Sequence, residues 1–309
     1  MATIPYRIDV HHHIVPKEYL SSLADMRITT AGGVIFPKWN VQDSLKYMNQ
    51  QNIATTLFSI SAPGIYFGNS NKTNELARQC NDISARIIKD HPTRFGAFAV
   101  LPLPNIEASI YELERALDEL KLDGVGLLSN IEGKYLGDPM FDEIFTELNR
   151  RNAVVFIHPN TPPEEKMPDV KFRGAMLEFV FDTTRAATNL VYGGAVRRFP
   201  NIKFILPHAG GTVPFLAWRI SFGKKKLLNA LKSFYYDTAV SGTNYALHSL
   251  KEFVDPSHIL FGTDFPFLPE KMINDMILGL EQYTGFDKET RIMIERENAL
   301  TLFPQLNQG

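Results

Sequence analysis

Three consecutive histidines, His11, His12 and His13, lie in the stretch IDVHHHIVP. Their flanks, Ile8 and Val10 before and Ile14 and Val15 after, are apolar and β-branched. That is the context of a strand, not of a polar purification tag. Successive side chains of a strand point to opposite faces. His11 and His13 therefore share one face and His12 points away, so two imidazoles are placed to hold one cation if other segments complete the set. Three further stretches offer donors: FIHPN with His158, ILPHAGG with His208 and FGTDFPF with Asp264. Neutral imidazoles and a carboxylate suit a divalent ion, zinc first and manganese as the alternative. Taken singly, each of these residues has an ordinary reading. A histidine in an apolar strand is normally a packed, hydrogen-bonded core residue, and an aspartate at a strand end normally caps a helix or forms a turn. The set carries the argument. Five of the eight histidines fall at or beside strand ends, whereas His91, His248 and His258 fall in or after helices and read as structural or surface residues.

The elements that must position these donors alternate along the chain. Strand-like runs are predicted at 7–12, 54–61, 94–103, 124–130, 153–159, 202–210, 234–239 and 259–267. Several are near-continuous apolar runs, as strands buried on both faces require. Helical spacing fills the gaps. Ile106, Ile110, Leu113, Leu117 and Leu120 form one stripe, Val41, Leu45 and Met48 another, and Asp138 followed by Pro139 reads as a helix start. Eight strands alternating with helices fit a parallel (β/α)8 barrel or a doubly wound sheet. The count favours the TIM barrel, and no glycine fingerprint follows the first strand. In a barrel the C-terminal strand ends meet at one mouth, which would gather His11, His13, His158, His208 and Asp264 from four strands. Segments 16–40, 62–73 and 160–175 are longer than simple connections and lie on that face, as rim, lid or plain surface elaboration. No repeat or linker is evident, so residues 1–309 read as one domain.

Composition narrows the class. Hydrophobic residues make up 44%, charged residues 21%, and the net charge is −2, without the basic excess of a nucleic-acid binder. One cysteine, Cys80, excludes an internal disulfide framework and fits a reducing compartment. It reads as a packing thiol, with no base beside it. No apolar run would span a bilayer and no leader is evident, so a cytoplasmic protein is expected.

The motifs DVHHHIVPK, FIHP, PHAGG and FGTDFPF, with the stretch from Asp182 to Arg219, resemble the amidohydrolase superfamily nearly end to end. The resemblance is closest to the branch of aminocarboxymuconate semialdehyde decarboxylase and the hydroxybenzoate decarboxylases. It implies a (β/α)8 barrel with one metal held by His11, His13, His158 and Asp264, and with His208 polarising substrate or handling a proton. Binuclear relatives carry a carboxylated lysine at the end of strand four. Here that strand ends in Asn130, so one metal is expected. The resemblance also implies a homodimer or dimer-based oligomer in which Arg219 reaches the neighbouring site to hold a substrate carboxylate; the plain alternative is a surface ion pair. The aminocarboxymuconate enzyme's arginine after strand one has no clear counterpart. Lys38 and Trp39 stand there instead, which favours a smaller, more aromatic acid. Trp39 and Phe267 are candidate pocket walls, as are Phe181 and Phe265, although aromatics at strand ends are commonly core. Asp237 reads as a turn or capping residue before a partner of a ligand histidine, and Arg185 as steadying a helix start.

The chemistry this predicts is non-oxidative decarboxylation of a small aromatic or unsaturated carboxylic acid, with Asp264 delivering a proton to carbon. The alternatives are metal-dependent hydrolysis of a cyclic ester or amide, with Asp264 taking a proton from attacking water, and a non-catalytic metal-binding barrel. His208 counts against the last, because a structural metal site needs no proton-handling neighbour.

Overall fold

The computed structural model describes residues 6–162 and 171–307. Positions 163–170, inside one of the expected rim segments, lie outside the described residues. Eight strands pair in parallel, in chain order: β1 Arg7–His13, β2 Ile53–Ser59, β3 Phe95–Val100, β4 Gly124–Leu128, β5 Val154–His158, β6 Lys203–Leu206, β7 Tyr235–Asp237 and β8 Ile259–Leu260. The sheet closes between its ends. Val10 N–H donates to Phe261 O at 3.0 Å, His13 N–H to Phe265 O at 2.8 Å and Asp264 N–H to His11 O at 2.7 Å. The architecture is the expected (β/α)8 barrel.

The helices of nine or more residues are α1 Lys17–Asp25, α2 Val41–Gln50, α3 Ser70–Asp90, α4 Ile106–Glu114, α5 Asp142–Arg150, α6 Glu178–Tyr192, α7 Val213–Ser221, α8 Asn244–Phe253 and α9 Glu270–Gln282. Side chains start several of them: Asn40, Asn69, Asn105 and Thr243 each accept the backbone N–H three residues on. Such a cap contributes about 1 kcal/mol. Asp138 does cap a start, accepting Met140 N–H, but of the short 3₁₀ turn Pro139–Phe141 that leads into α5. No helix among the described residues is long and apolar enough to cross a membrane.

Ile8, Val10, Leu57, Phe98, Phe156, Ile205 and Leu260 fill the barrel interior, and Ala299 and Phe303 pack against them. Burying each large side chain contributes roughly 1.5–3 kcal/mol. Phe156, two residues before His158, lies with its ring 4.9 Å from His11 and makes an apolar floor under the mouth.

The late strands are shorter than the sequence patterns predict. β6 stops at Leu206 because Pro207 has no N–H, and His208, Ala209 and Gly210 turn left-handed with φ of 54°, 55° and 75°. β8 stops at Leu260; beyond it, Thr263 and Asp264 direct their N–H groups to Asp9 Oδ1 and His11 O. Gly262 permits this approach, since a β-carbon there would stand 2.9 Å from His11 Cβ.

Candidate metal centre

One donor atom from each of His11, His13, His158 and Asp264 lies within 4.8 Å of all the others. His11 Nε2 is 3.1 Å from His13 Nε2, and Asp264 Oδ1 is 3.3 and 3.2 Å from those two nitrogens. As the alternation of β1 requires, His11 and His13 meet inside the mouth, and His12 points outward to Ser44 on α2. A register shift between Asp9 and His12 bends β1 at this point. His208 stands beside the cluster, its Nε2 3.5 Å from Asp264 Oδ2.

Each imidazole of the cluster has an acceptor at its other nitrogen. His11 Nδ1–H donates to Asp237 Oδ2 at 2.7 Å, His158 Nδ1–H to Pro159 O at 2.8 Å, and His13 Nδ1 faces Ser59 O at 3.3 Å and Ser59 Oγ at 3.0 Å. With a proton on Nδ1 alone, the form a metal ligand takes, all three Nε2 lone pairs would aim at one point. Three such lone pairs and a carboxylate repel one another unless a positive charge, a metal ion or a proton on one of the rings, lies between them. The donor set therefore fits a single divalent metal.

The electrostatics agree. Burial, then the neighbouring His13 and His11, hold the His158 pKa well below the usual imidazole value. Burial also pushes His13 down. Both are neutral donors at pH 7. Burial disfavours a charge on His11 too, but Asp237 and Asp264 outweigh it and push its pKa up to about 10. A cation entering the site must displace that proton. Burial would raise the Asp264 carboxyl, but His11 and hydrogen bonds from His11, His13 and His208 outweigh it and hold it well below the usual carboxylate range.

Several expectations are corrected. Asp237 does more than shape a turn: fully buried, it holds His11 through Oδ2, while Oδ1 accepts the N–H groups of His208 at 2.8 Å and Ala239 at 3.0 Å. Arg185 is not at a helix start; it lies inside α6, 3.8 Å from Glu178 and Asp182. Phe181 lies within α6 as well. Phe265 is a packing ring, stacked on His12 at 5.0 Å and on Tyr47 at 4.4 Å. The Asn130 side chain donates from Nδ2 to the buried Asp182 at 2.9 Å.

The remaining candidates divide. Phe267 has its ring centre 5.4 Å from that of His13. Trp39 is partly buried and packs against the same apolar cluster as Phe267. Arg219 and Lys38 are exposed and take no part in the hydrogen bonds of the cluster. Cys80 is buried in helix packing, which pushes its thiol up to about 12. Two residues escaped the sequence reading. Ser61 Oγ lies 3.3 Å from His158 Nε2, and the Phe179 ring is 6.0 Å from that of His158. Neither stands in a motif. Alongside the cluster, a cleft of about 490 Å³ opens over the ends of β3 and β4, lined by Ile65, Tyr66, Leu101, Leu103, Leu128 and Asn130 among others.

Known proteins with this sequence pattern and geometry are similar over nearly their whole length. The 6-methylsalicylic acid decarboxylase of Penicillium expansum is 35% identical, with 97% of each chain covered. The crystal structure of an amidohydrolase II superposes with a TM-score of 0.92 at 28% identity, covering 96% of this chain and 99% of that one. A dihydroxybenzoic acid decarboxylase from Polaromonas, crystallised with manganese and 2-nitroresorcinol, superposes with a TM-score of 0.82 at 23% identity over 98% of each chain. With the amidohydrolase family pattern matched across residues 8–305, the chain belongs to that family.

Proposed function

We propose that this protein is a metal-dependent carboxy-lyase that removes carbon dioxide, without oxidation, from a small aromatic hydroxy acid of the 6-methylsalicylate kind, acting as one barrel domain in the cytoplasm. The observation that carries this reading is the convergence of His11, His13, His158 and Asp264 beside His208, in a chain whose relatives are decarboxylases. A bound divalent ion supplies Lewis-acid polarisation and charge neutralisation for a carboxylate and its neighbouring oxygen. Zinc binds imidazole-rich sites more tightly than manganese; the manganese held by the Polaromonas neighbour makes it the second candidate.

The chain's own groups handle the proton. Asp264 is ionised at rest, so it takes the proton of the substrate hydroxyl as the acid binds. It then returns that proton to the ring carbon that bears the carboxylate: a ring π pair forms the carbon–hydrogen bond, the carbon–carbon pair restores the ring as carbon dioxide leaves, and the phenolate takes its proton back from water. His208 Nδ1 is buried and has no hydrogen-bond partner among the described residues, which leaves it free for a substrate oxygen. Phe267 and Trp39 supply apolar walls. Among the described residues no Lys or Arg pairs with Asp264, whose partners are His11, His13 and His208. Arg219 lies on α7 among exposed aromatics: Phe215 is 83%, Trp218 73% and Phe222 70% exposed. A homodimer formed through this face would cover them and bring Arg219 to the partner's mouth.

The test is direct. Metal-stripped protein refilled with zinc or manganese is incubated with hydroxybenzoates, 6-methylsalicylate included, and with simple lactones. Carbon dioxide release supports the reading; lactone opening without gas overturns it in favour of a hydrolase.

A further inference from the structure

The middle histidine belongs to neither the cation cluster nor the proton steps, yet it is fully buried. Its partners form a chain with one direction. The Trp39 indole N–H can only donate, and it does so to Ser44 Oγ at 2.8 Å. The Ser44 hydroxyl is then free to donate to His12 Nε2, 2.9 Å away. That places the His12 proton on Nδ1, which faces Asp9 Oδ2 at 3.3 Å. The same Asp9 oxygen accepts the Thr263 hydroxyl at 2.6 Å, and Asp9 Oδ1 accepts Thr263 N–H at 3.1 Å and His11 N–H at 3.0 Å. Thr263 immediately precedes Asp264, whose backbone is left-handed with φ of 62°. The His12 ring is meanwhile clamped against Phe265.

We propose that His12 is a positioning residue: the chain Trp39–Ser44–His12–Asp9–Thr263 sets the indole wall of the mouth against the Asp264 carboxylate. One end of the chain is a side chain from the segment before α2, the other the backbone that carries Asp264. Among the described residues, His12 is the only hydrogen-bonded link between the two halves, with Ser44 bonded to Nε2 and Asp9 facing Nδ1. A serine hydroxyl that both accepts from the indole and donates to the imidazole fixes the indole plane, a direction that non-directional apolar packing does not set. The substrate-facing role of Trp39 rests on the decarboxylase reading; the hydrogen-bond chain does not.

The experiment separates the two. In a Trp218→Phe background, Trp39 is the sole tryptophan. Ser44→Ala removes the indole's acceptor, and His12→Asn keeps a donor toward Asp9 while losing the acceptor toward Ser44. Both should move the Trp39 emission maximum in the metal-free and zinc-loaded protein and leave one zinc bound per chain. With 6-methylsalicylate, both should raise KM roughly fivefold, the factor for one lost buried hydrogen bond, and change kcat by less than about twofold. His12→Phe, which severs both halves, should lower kcat as well; if it fails to fold, the first two variants decide. Unchanged Trp39 emission in Ser44→Ala overturns the proposal. So does His12→Asn behaving unlike Ser44→Ala, or equal losses in kcat and kcat/KM with KM unmoved. Absence of any turnover by the parent protein overturns the functional reading alone, and the emission comparison still decides the role of His12.

Discussion

Replacing Asp237 by asparagine should weaken the metal site without touching a ligand. Asp237 Oδ1 accepts two backbone N–H groups, from His208 and Ala239, and Oδ2 accepts His11 Nδ1–H at 2.7 Å. An asparagine must keep its oxygen on the backbone pair, since turning its NH2 there would oppose two donors with a third. The NH2 then faces His11 Nδ1 and forces the other tautomer, with the proton on Nε2. That proton points into the cation position and removes one of three imidazole lone pairs. Losing such a partner weakens metal binding by about ten- to a hundredfold, or about 1.4–2.8 kcal/mol. The pH dependence should change with it. In the metal-free wild type, Asp237 and Asp264 outweigh burial and raise His11 to about 10. A raised imidazole pKa stabilises the metal-free fold fully below the ordinary value near 6.5 and progressively less as pH rises toward 10. Metal affinity should therefore climb with pH across that window in the wild type, and less steeply in Asp237→Asn. Competition against a chelator at several pH values measures both effects. Equal affinity for the two proteins at neutral pH would refute the tautomer argument.

Four other outcomes are expected. His158→Ala should drop the metal content of protein purified under limiting zinc well below one ion per chain, measured by elemental analysis; full stoichiometry would remove His158 from the ligand set. Trp218→Glu should convert a dimer to monomers in sedimentation velocity and raise KM for the acid, and Arg219→Ala should raise KM by roughly tenfold or more, as loss of a charge-assisted pair does, while leaving the dimer intact. Cys80, its pKa raised by burial, should resist a thiol reagent at pH 8 in the native protein and react at once in denaturant.

The site was legible in the sequence because its donors sit where strand periodicity is strongest. His11, His13 and His158 lie within β1 and β5, and a period of two suffices to aim them. Asp237 was misjudged because its role depends on a contact 226 positions away, with His11, and no local pattern in YYDTA encodes that reach. Arg185 was placed at a helix start because the helix begins at Glu178, after a stretch whose composition reads as loop. The ends of β6 and β8 were overrun for a related reason. Apolar residues continue past Leu206 and Leu260, but the backbone there has already turned to the buried carboxylates. Phe179 and Ser61 carry no signal at all, since a single phenylalanine in the first turn of a helix, or a single serine just past a strand, is ordinary.

Those buried carboxylates explain how the mouth keeps an unfavourable backbone. His208, Ala209 and Asp264 all have positive φ without being glycine, and each such residue costs on the order of 1 kcal/mol or more. The hydrogen bonds offset this where the cost arises. Asp237 accepts the N–H of His208, Asp9 accepts that of Thr263, and His11 O accepts that of Asp264. Hydrogen bonds to a charged acceptor contribute about 1.5–3 kcal/mol each, enough to hold these turns. The same two aspartates also orient the imidazoles, Asp237 through His11 and Asp9 through His12. Backbone strain and ligand orientation are thus tied to the same atoms. A substitution at either aspartate would relax the turn and misaim a ring together, so the conformation of the strand ends and the chemistry at the mouth are not separable properties of this barrel.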